Sequence, residues 1–173
     1  MTGLVRPDLR HHPSWASAVR EFGEDGTTMH GGGLWDLDTR DLGRDALATE
    51  VERLLAQSDP ATELPDGIVP CSYYWIVEGE EFLGYLAVRH ALNDWLHDYG
   101  GHLGYSVRPS RRGEGHAGRA LALGLDQARA IGLHRVLITC DEDNLASRRT
   151  IESAGASYED TRDVKRRYWF DLD

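Results

Sequence analysis

The segment Val107-Arg108-Pro109-Ser110-Arg111-Arg112-Gly113-Glu114-Gly115-His116-Ala117-Gly118 limits the folds open to this chain more than any other. Before it, His102-Leu103-Gly104-Tyr105-Ser106-Val107 alternates polar with apolar or small residues in the two-residue period of a strand. Pro109, which has no ladder donor, ends that strand. After it, small or apolar residues at 117, 120, 121, 124, 125, 128 and 131 fall on one helical face. A strand therefore runs through a basic, glycine-bearing turn directly into a helix. The first N–H groups of a helix have no intrahelical acceptor, and the helix dipole adds positive charge there, so this junction is a cradle for phosphate. Gly115 and Ala117 stand in the first turn, where minimal side chains let a diphosphate approach the backbone.

Two common phosphate signatures do not match. A P-loop needs Gly-Lys-Ser/Thr at the helix start, and the dinucleotide fingerprint needs G-x-G-x-x-G after a strand. Here the residues are Arg112, Gly115 and Ala117 in the pattern R-x-x-G-x-A, preceded by V-x-P-x-x-R from Val107. Downstream, Arg135-Val136-Leu137-Ile138-Thr139-Cys140 reads as a strand, followed by Asn144-Leu145-Ala146-Ser147, a short helical run and Gly155.

The first pattern resembles the coenzyme A signature of the GNAT superfamily of N-acetyltransferases, and the second resembles that family's N-x-x-A/S motif. The resemblance spans residues 70–170. It implies an α/β chain with the GNAT fold: one domain over residues 1–173, with a mixed, mostly antiparallel sheet of six to seven strands flanked by about four helices. It also implies acetyl-CoA as cofactor. On this likeness the backbone of Gly113, Glu114, Gly115, His116, Ala117 and Gly118 holds the pyrophosphate, and Arg111 and Arg112 meet phosphate oxygens. The strand Tyr105, Ser106, Val107 offers a main-chain donor to the thioester, and Asn144 and Ser147 face the pantetheine arm. Many members carry a tyrosine seven residues after the asparagine that protonates the departing thiolate; Ile151 stands there in this chain. Tyr105, Ser147 or water is left to do that work.

Gly33-Leu34-Trp35, Arg89-His90-Ala91-Leu92-Asn93, the run 100–105 and the run 139–144 are together similar to a bacterial subgroup of small acetyltransferases. Some members of that wider grouping acetylate aminoglycosides, kasugamycin at its 2'-amine among them. An aminoglycoside-type small-molecule amine is the acceptor this likeness favours. The alternatives are a protein N-terminus or lysine, and a coenzyme A-binding module without turnover. A homodimer is compatible with the resemblance.

A net charge of −10 argues against nucleic acid as a partner, because phosphate neutralisation needs a basic face. Arg108, Arg111, Arg112 and Arg119 cluster around the turn, whereas acids dominate residues 21–66 and 141–143. That division suits an anionic cofactor and a cationic substrate at opposite ends; excess acid also simply favours solubility. Cys71 and Cys140 have neither zinc nor disulfide spacing and read as buried thiols, and His11-His12 lack partner ligands for a metal. No stretch approaches the length of a membrane span, so no membrane partner and a cytoplasmic location are expected.

Amine acetylation needs a group that takes a proton from the acceptor. Where some relatives place a glutamate, counting back from the glycine turn lands on Gly101, beside His102. Histidine titrates in the right range, so His102 is the candidate base; its other reading is a strand histidine hydrogen-bonded across the sheet. Asp141 and Glu142 are candidates for an acceptor ammonium, or else complement the N-terminus of the helix after them. In the loop between the first two helices, His30, Trp35 and Asp36 are candidate substrate contacts, with Asp38 alternating against Asp36; Trp35 equally suits the core. Glu78 and Asp94 are weaker candidates. The length of residues 23–35 argues against an open peptide groove.

Helical spacing predicts a first helix from a Ser14 cap to Glu21, ended by Gly23, and a second over residues 41–56 that buries Leu47, Val51, Leu54 and Leu55. Residues 71–77 and 81–90 read as a hairpin, residues 93–101 as a connecting turn, and residues 157–163 and 166–172 as two final strands.

Overall fold

The computed structural model describes residues 1–172. Seven strands form one sheet: β1 (Thr2–Val5), β2 (Cys71–Glu78), β3 (Glu81–Arg89), β4 (Leu103–Val107), β5 (Arg135–Asp141), β6 (Ser157–Arg162) and β7 (Lys165–Asp171). Their order is β1-β2-β3-β4-β5-β7-β6, and every neighbouring pair is antiparallel except β4–β5. Four α-helices cover it: α1 (His12–Asp25), α2 (Arg44–Ala56), α3 (His116–Ala130) and α4 (Leu145–Ser153). Among the described residues no helix is long and apolar enough to cross a membrane.

The helices lie on both faces because the strands are apolar on both. One core packs α1 and α2 through Trp15, Val19, Phe22, Leu47 and Val51 against Trp75, Phe82 and Tyr85. The other packs α3 and α4 through Ala120, Leu121, Ala128 and Ile151 against Leu86, Val88, Val136 and Ile138. Ile151, the residue in place of the family tyrosine, is fully buried in this second core.

Several boundaries differ from those read in sequence. α1 starts two residues before Ser14, with Pro13 in its first turn, and ends at Gly26 in the left-handed conformation rather than at Gly23. Ser14 is no cap: its Oγ accepts the Phe82 N–H at 2.9 Å, a tertiary bond that tethers α1 to the hairpin. α2 begins at Arg44, and Leu55 is exposed while Leu54 fills the core position. Residues 96–100 coil into a single π-helical turn, whose first N–H, that of Leu96, donates to Asn93 Oδ1 at 2.8 Å.

Candidate active site

The site forms where two parallel strands part. β4 and β5 share one register pair, Leu103 with Ile138. Gly101 has φ +67°, and a Cβ there would lie 2.7 Å from Leu137 O, so the chain entering β4 presses directly on β5. No acid can stand at that position without prising the strands apart. Beyond this contact they diverge. Val107 lies opposite Gly84 and Arg108 N–H donates to Leu83 O at 2.7 Å. The alternation of an antiparallel ladder therefore turns the N–H groups of Tyr105 and Val107 away from β3, toward the gap beside β5.

A cavity of about 570 Å³ occupies that gap. Tyr105, Asn144 and Ser147 line it, together with His30, Trp35, Arg89, Tyr99, Asp141 and Lys165. Tyr105 Oη and Ser147 Oγ are 2.9 Å apart, and Asn144 Oδ1 accepts the Ser147 N–H at 3.1 Å, capping α4. Burial raises the Tyr105 phenol above its ordinary pKa, so it keeps its proton at neutral pH. Lys165 Nζ lies 2.6 Å from Asp141 Oδ1. Partial burial, then Lys165 and Arg89 acting against Asp141, holds the His30 imidazole below the usual histidine range. His30 therefore faces the cavity as a neutral ring. Cys140 also lines the cavity, but burial pushes its thiol up to about 11, which makes it a poor nucleophile.

His102 is elsewhere. Its N–H donates to Leu137 O at 2.7 Å, its ring Nδ1 accepts the Leu137 N–H at 2.9 Å, and the ring packs edge-on to Trp169. It is buried and outside the cavity lining; burial, aided by Arg89, holds its pKa down to about 4. The lone pair a base would use is spent on a backbone amide, so His102 joins the sheet and is not the base expected from its titration range.

At the glycine turn, α3 begins at N-cap Gly115, φ +81°, with no side chain capping it. A Cβ added at Gly113 or Gly118 meets nothing within 4 Å, so this face of the turn is open. The two arginines expected on phosphate are engaged within the protein. Arg111 is paired with Glu78, Glu81 and Glu114. Arg112 donates to Val107 O at 3.0 Å, to Asp25 at 2.8 Å and to Thr27 at 2.9 Å. The turn is stiffened by them, and its main-chain N–H groups are what it offers outward. The His116 ring is buried against Thr2 Oγ1 at 2.8 Å and Glu114, which leaves its backbone for the cradle.

Other expectations fall outside the cavity. Asp36 and Glu142 are exposed and do not line it; Glu142 lies 3.8 Å from Arg166 instead. Asp38 pairs with Arg40, and Glu78 is held by Arg111 and the terminal amine of Met1. Ser106 Oγ donates to His30 O at 2.8 Å and so fastens the loop after α1 to β4. Gly31 completes that seam: a Cβ on it would lie 2.3 Å from Gly104 O. Sequence reasoning missed Arg89, Tyr99 and Lys165. Arg89 stood in a noted motif at a strand end; Lys165, at the start of the last strand, had no local signal.

Comparison with known proteins gives this geometry a context. An acetyltransferase (GNAT) domain model matches residues 16–157. The chain belongs to the GNAT acetyltransferase family. GNAT enzymes of known structure share its fold: Mycobacterium smegmatis RimJ in complex with a CoA disulfide superposes with a TM-score of 0.73 at 21% identity, covering 98% of this chain and 81% of that one. The ribosomal-protein-S5-alanine acetyltransferase from Vibrio fischeri gives 0.71 at 14% identity, covering 99% and 93%. RimL, a ribosomal L7/L12 α-N-protein acetyltransferase in complex with coenzyme A, gives 0.68 at 18% identity, covering 99% and 94%. No curated protein sequence matches the chain significantly.

Proposed function

We propose that this GNAT protein is an acetyl-CoA-dependent N-acetyltransferase whose acceptor is the α-amine at the N-terminus of a protein or peptide. The observation that carries the reaction is the Tyr105–Ser147 hydroxyl pair set in the parted β4–β5 gap, on the strand that leads into the uncapped start of α3. The residues present fit the coenzyme: an open, glycine-lined helix N-terminus suits a diphosphate, and Tyr105, Asn144 and Ser147 line the gap beyond it. When bound, acetyl-CoA supplies an acyl group activated as a thioester. The chain's own part is to orient, polarise and move protons. Tyr105 and Val107 aim main-chain N–H groups into the gap as preorganised donors for a carbonyl oxygen. His30, held neutral at physiological pH, accepts the proton that leaves the acceptor nitrogen. Tyr105 Oη, which keeps its proton at neutral pH and is hydrogen-bonded to Ser147, would be the proton donor for a departing thiolate.

The charge lining the cavity favours a peptide acceptor over an aminoglycoside. The loop after α1 is fastened to β4 through Gly31 and His30 O, so part of its length is spent against the sheet, while His30 and Trp35 form part of the cavity wall. The cavity lining carries Arg89 and Lys165 against one carboxylate, Asp141, a balance of charge that opposes a polycation. The relatives named above as ribosomal-protein acetyltransferases are consistent with this choice. The test is to follow free thiol and products by mass spectrometry with acetyl-CoA, N-terminal peptides and kasugamycin. Thiol release with α-N-acetylated peptide is the expected outcome. Preferential acetylation of kasugamycin would restore the aminoglycoside reading, and coenzyme binding without thiol release in any case would mark a module without turnover.

A further inference from the structure

A second cavity, of about 280 Å³, adjoins the first and shares Trp35, Arg89 and Trp95 with it. We infer that it is a specificity subsite for one large apolar side chain at the N-terminus of the acceptor, an inference that rests on the peptide-acceptor reading above. Its size is below the range of pockets that take whole drug-sized ligands, which suits a single side chain entering from the neighbouring gap.

The chemistry of the lining selects an apolar occupant. Its polar side chains are consumed in building the walls. Gln57 Nε2 donates to Val69 O at 3.0 Å while its Oε1 accepts from Tyr73 Oη at 3.2 Å. Asn93 Nδ2 donates to Gly67 O at 2.9 Å while its Oδ1 accepts from Leu96 N–H. Besides Arg89, the rest of the lining is Gly67, Ile68, Val69, Leu96 and the indoles of Trp35 and Trp95. Among the described residues no carboxylate lines the cavity and the one charged residue is Arg89, so a lysine or arginine side chain is repelled as well as unpaired.

The exposure of the indoles points the same way. Trp15 and Trp75 are wholly buried, whereas Trp35 is 68% and Trp95 60% exposed at the shared rim, with Ile68 44% exposed beside them. Large aromatic surface left in water where two cavities join is surface that a docked apolar group covers. Continuity with the reaction gap fixes the direction of entry. The acceptor amine sits in the first cavity and a neighbouring side chain turns past Arg89 into the second.

The experiment measures kcat/KM for peptides varied at the first or second residue among Leu, Phe, Ala, Lys and Asp, with wild type and Ile68→Asp. Ile68 lies outside the first cavity and is part-exposed in a loop, so the variant is expected to fold, and a thermal melt checks it. At one of the two positions Leu or Phe should exceed Ala by about tenfold or more, with Lys poorest. Ile68→Asp should abolish that advantage and raise Lys, with the KM for acetyl-CoA unchanged. Equal kcat/KM across the series at both positions, or an advantage that survives Ile68→Asp, overturns the subsite while leaving the acetyltransferase reading intact. Acetylation of kasugamycin but of no peptide overturns the acceptor reading and the subsite with it.

Discussion

In the proposed reaction Tyr105 and Ser147 take on a task that the family resemblance assigns to a tyrosine on the helix after β5. Here that position is Ile151, buried in the core, so a hydroxyl there would face apolar side chains rather than the cavity. Tyr105→Phe should lower kcat by about a hundredfold, the lower end of what proton transfer contributes, with little change in affinity for coenzyme A. Pre-steady-state thiol release checks this. His30 makes a second prediction at this scale. Its pKa lies below the ordinary value, so the neutral, active form persists on lowering pH past the usual histidine range, and activity falls only in more acidic solution. The acid limb of kcat/KM should therefore lie below about pH 6.5, the ordinary histidine value. It should disappear in His30→Gln, whose residual rate becomes pH-flat there. The sequence offers Tyr105 as a proton donor but His30 only as a substrate contact and His102 as the base; only the fold separates His30, lining the cavity, from His102, bound to a backbone amide.

At the scale of the element, the strand–turn–helix unit of β4 and α3 was legible because each part is set by local rules: alternation, a proline stop, glycine at the helix start and a helical apolar stripe. The start of α1 was not legible, since Ser14 is drawn off by the Phe82 N–H, a partner 68 residues away. The cradle itself can be tested on Gly118, which stands in the first turn of α3 with open space where a Cβ would be. Gly118→Glu should stabilise the fold by about 1 kcal/mol, because it removes a helical glycine and places negative charge at a helix N-terminus. The same charge opposes a diphosphate, so affinity for coenzyme A should fall by about tenfold or more. Calorimetry and thermal melts on one variant read both, and tight binding with Glu at 118 would move the phosphates away from this turn.

For the whole molecule, α1 and the glycine turn are locked together by charges from distant segments. Buried Arg108 is paired with Glu21 and also donates to Phe82 O at 3.2 Å and Ser17 at 3.2 Å, while Glu21 accepts from Ser110 Oγ at 2.7 Å. The Arg108 guanidinium, with Ser110, holds the Glu21 carboxyl down to about 2. Its stabilising effect is complete above the ordinary carboxyl value of 4.5 and is lost as pH falls toward about 2. His102, held down to about 4, acts in a higher window: the unfolded chain takes up its proton first, so stability falls between pH 6.5 and about 4. That loss should be on the order of 3 kcal/mol. Urea melts against pH should show two successive declines, and His102→Asn should flatten the upper one.

The sequence by itself determined the strand, the turn, the helix and the family, because periodicity, glycine and proline act through the chain's own backbone geometry. The tertiary structure decided what each charged or titratable side chain is for. Arg111 and Arg112 have partners that their neighbours do not show: beside Glu114 and Val107 O, these come from β2, β3 and the end of α1, 30 or more residues away. Lys165 enters the cavity only because β7 lies beside β5 in the sheet. A long side chain carries its charge several ångströms from its own backbone, and only the packed fold fixes which opposite charge, carbonyl or cavity lies within that reach.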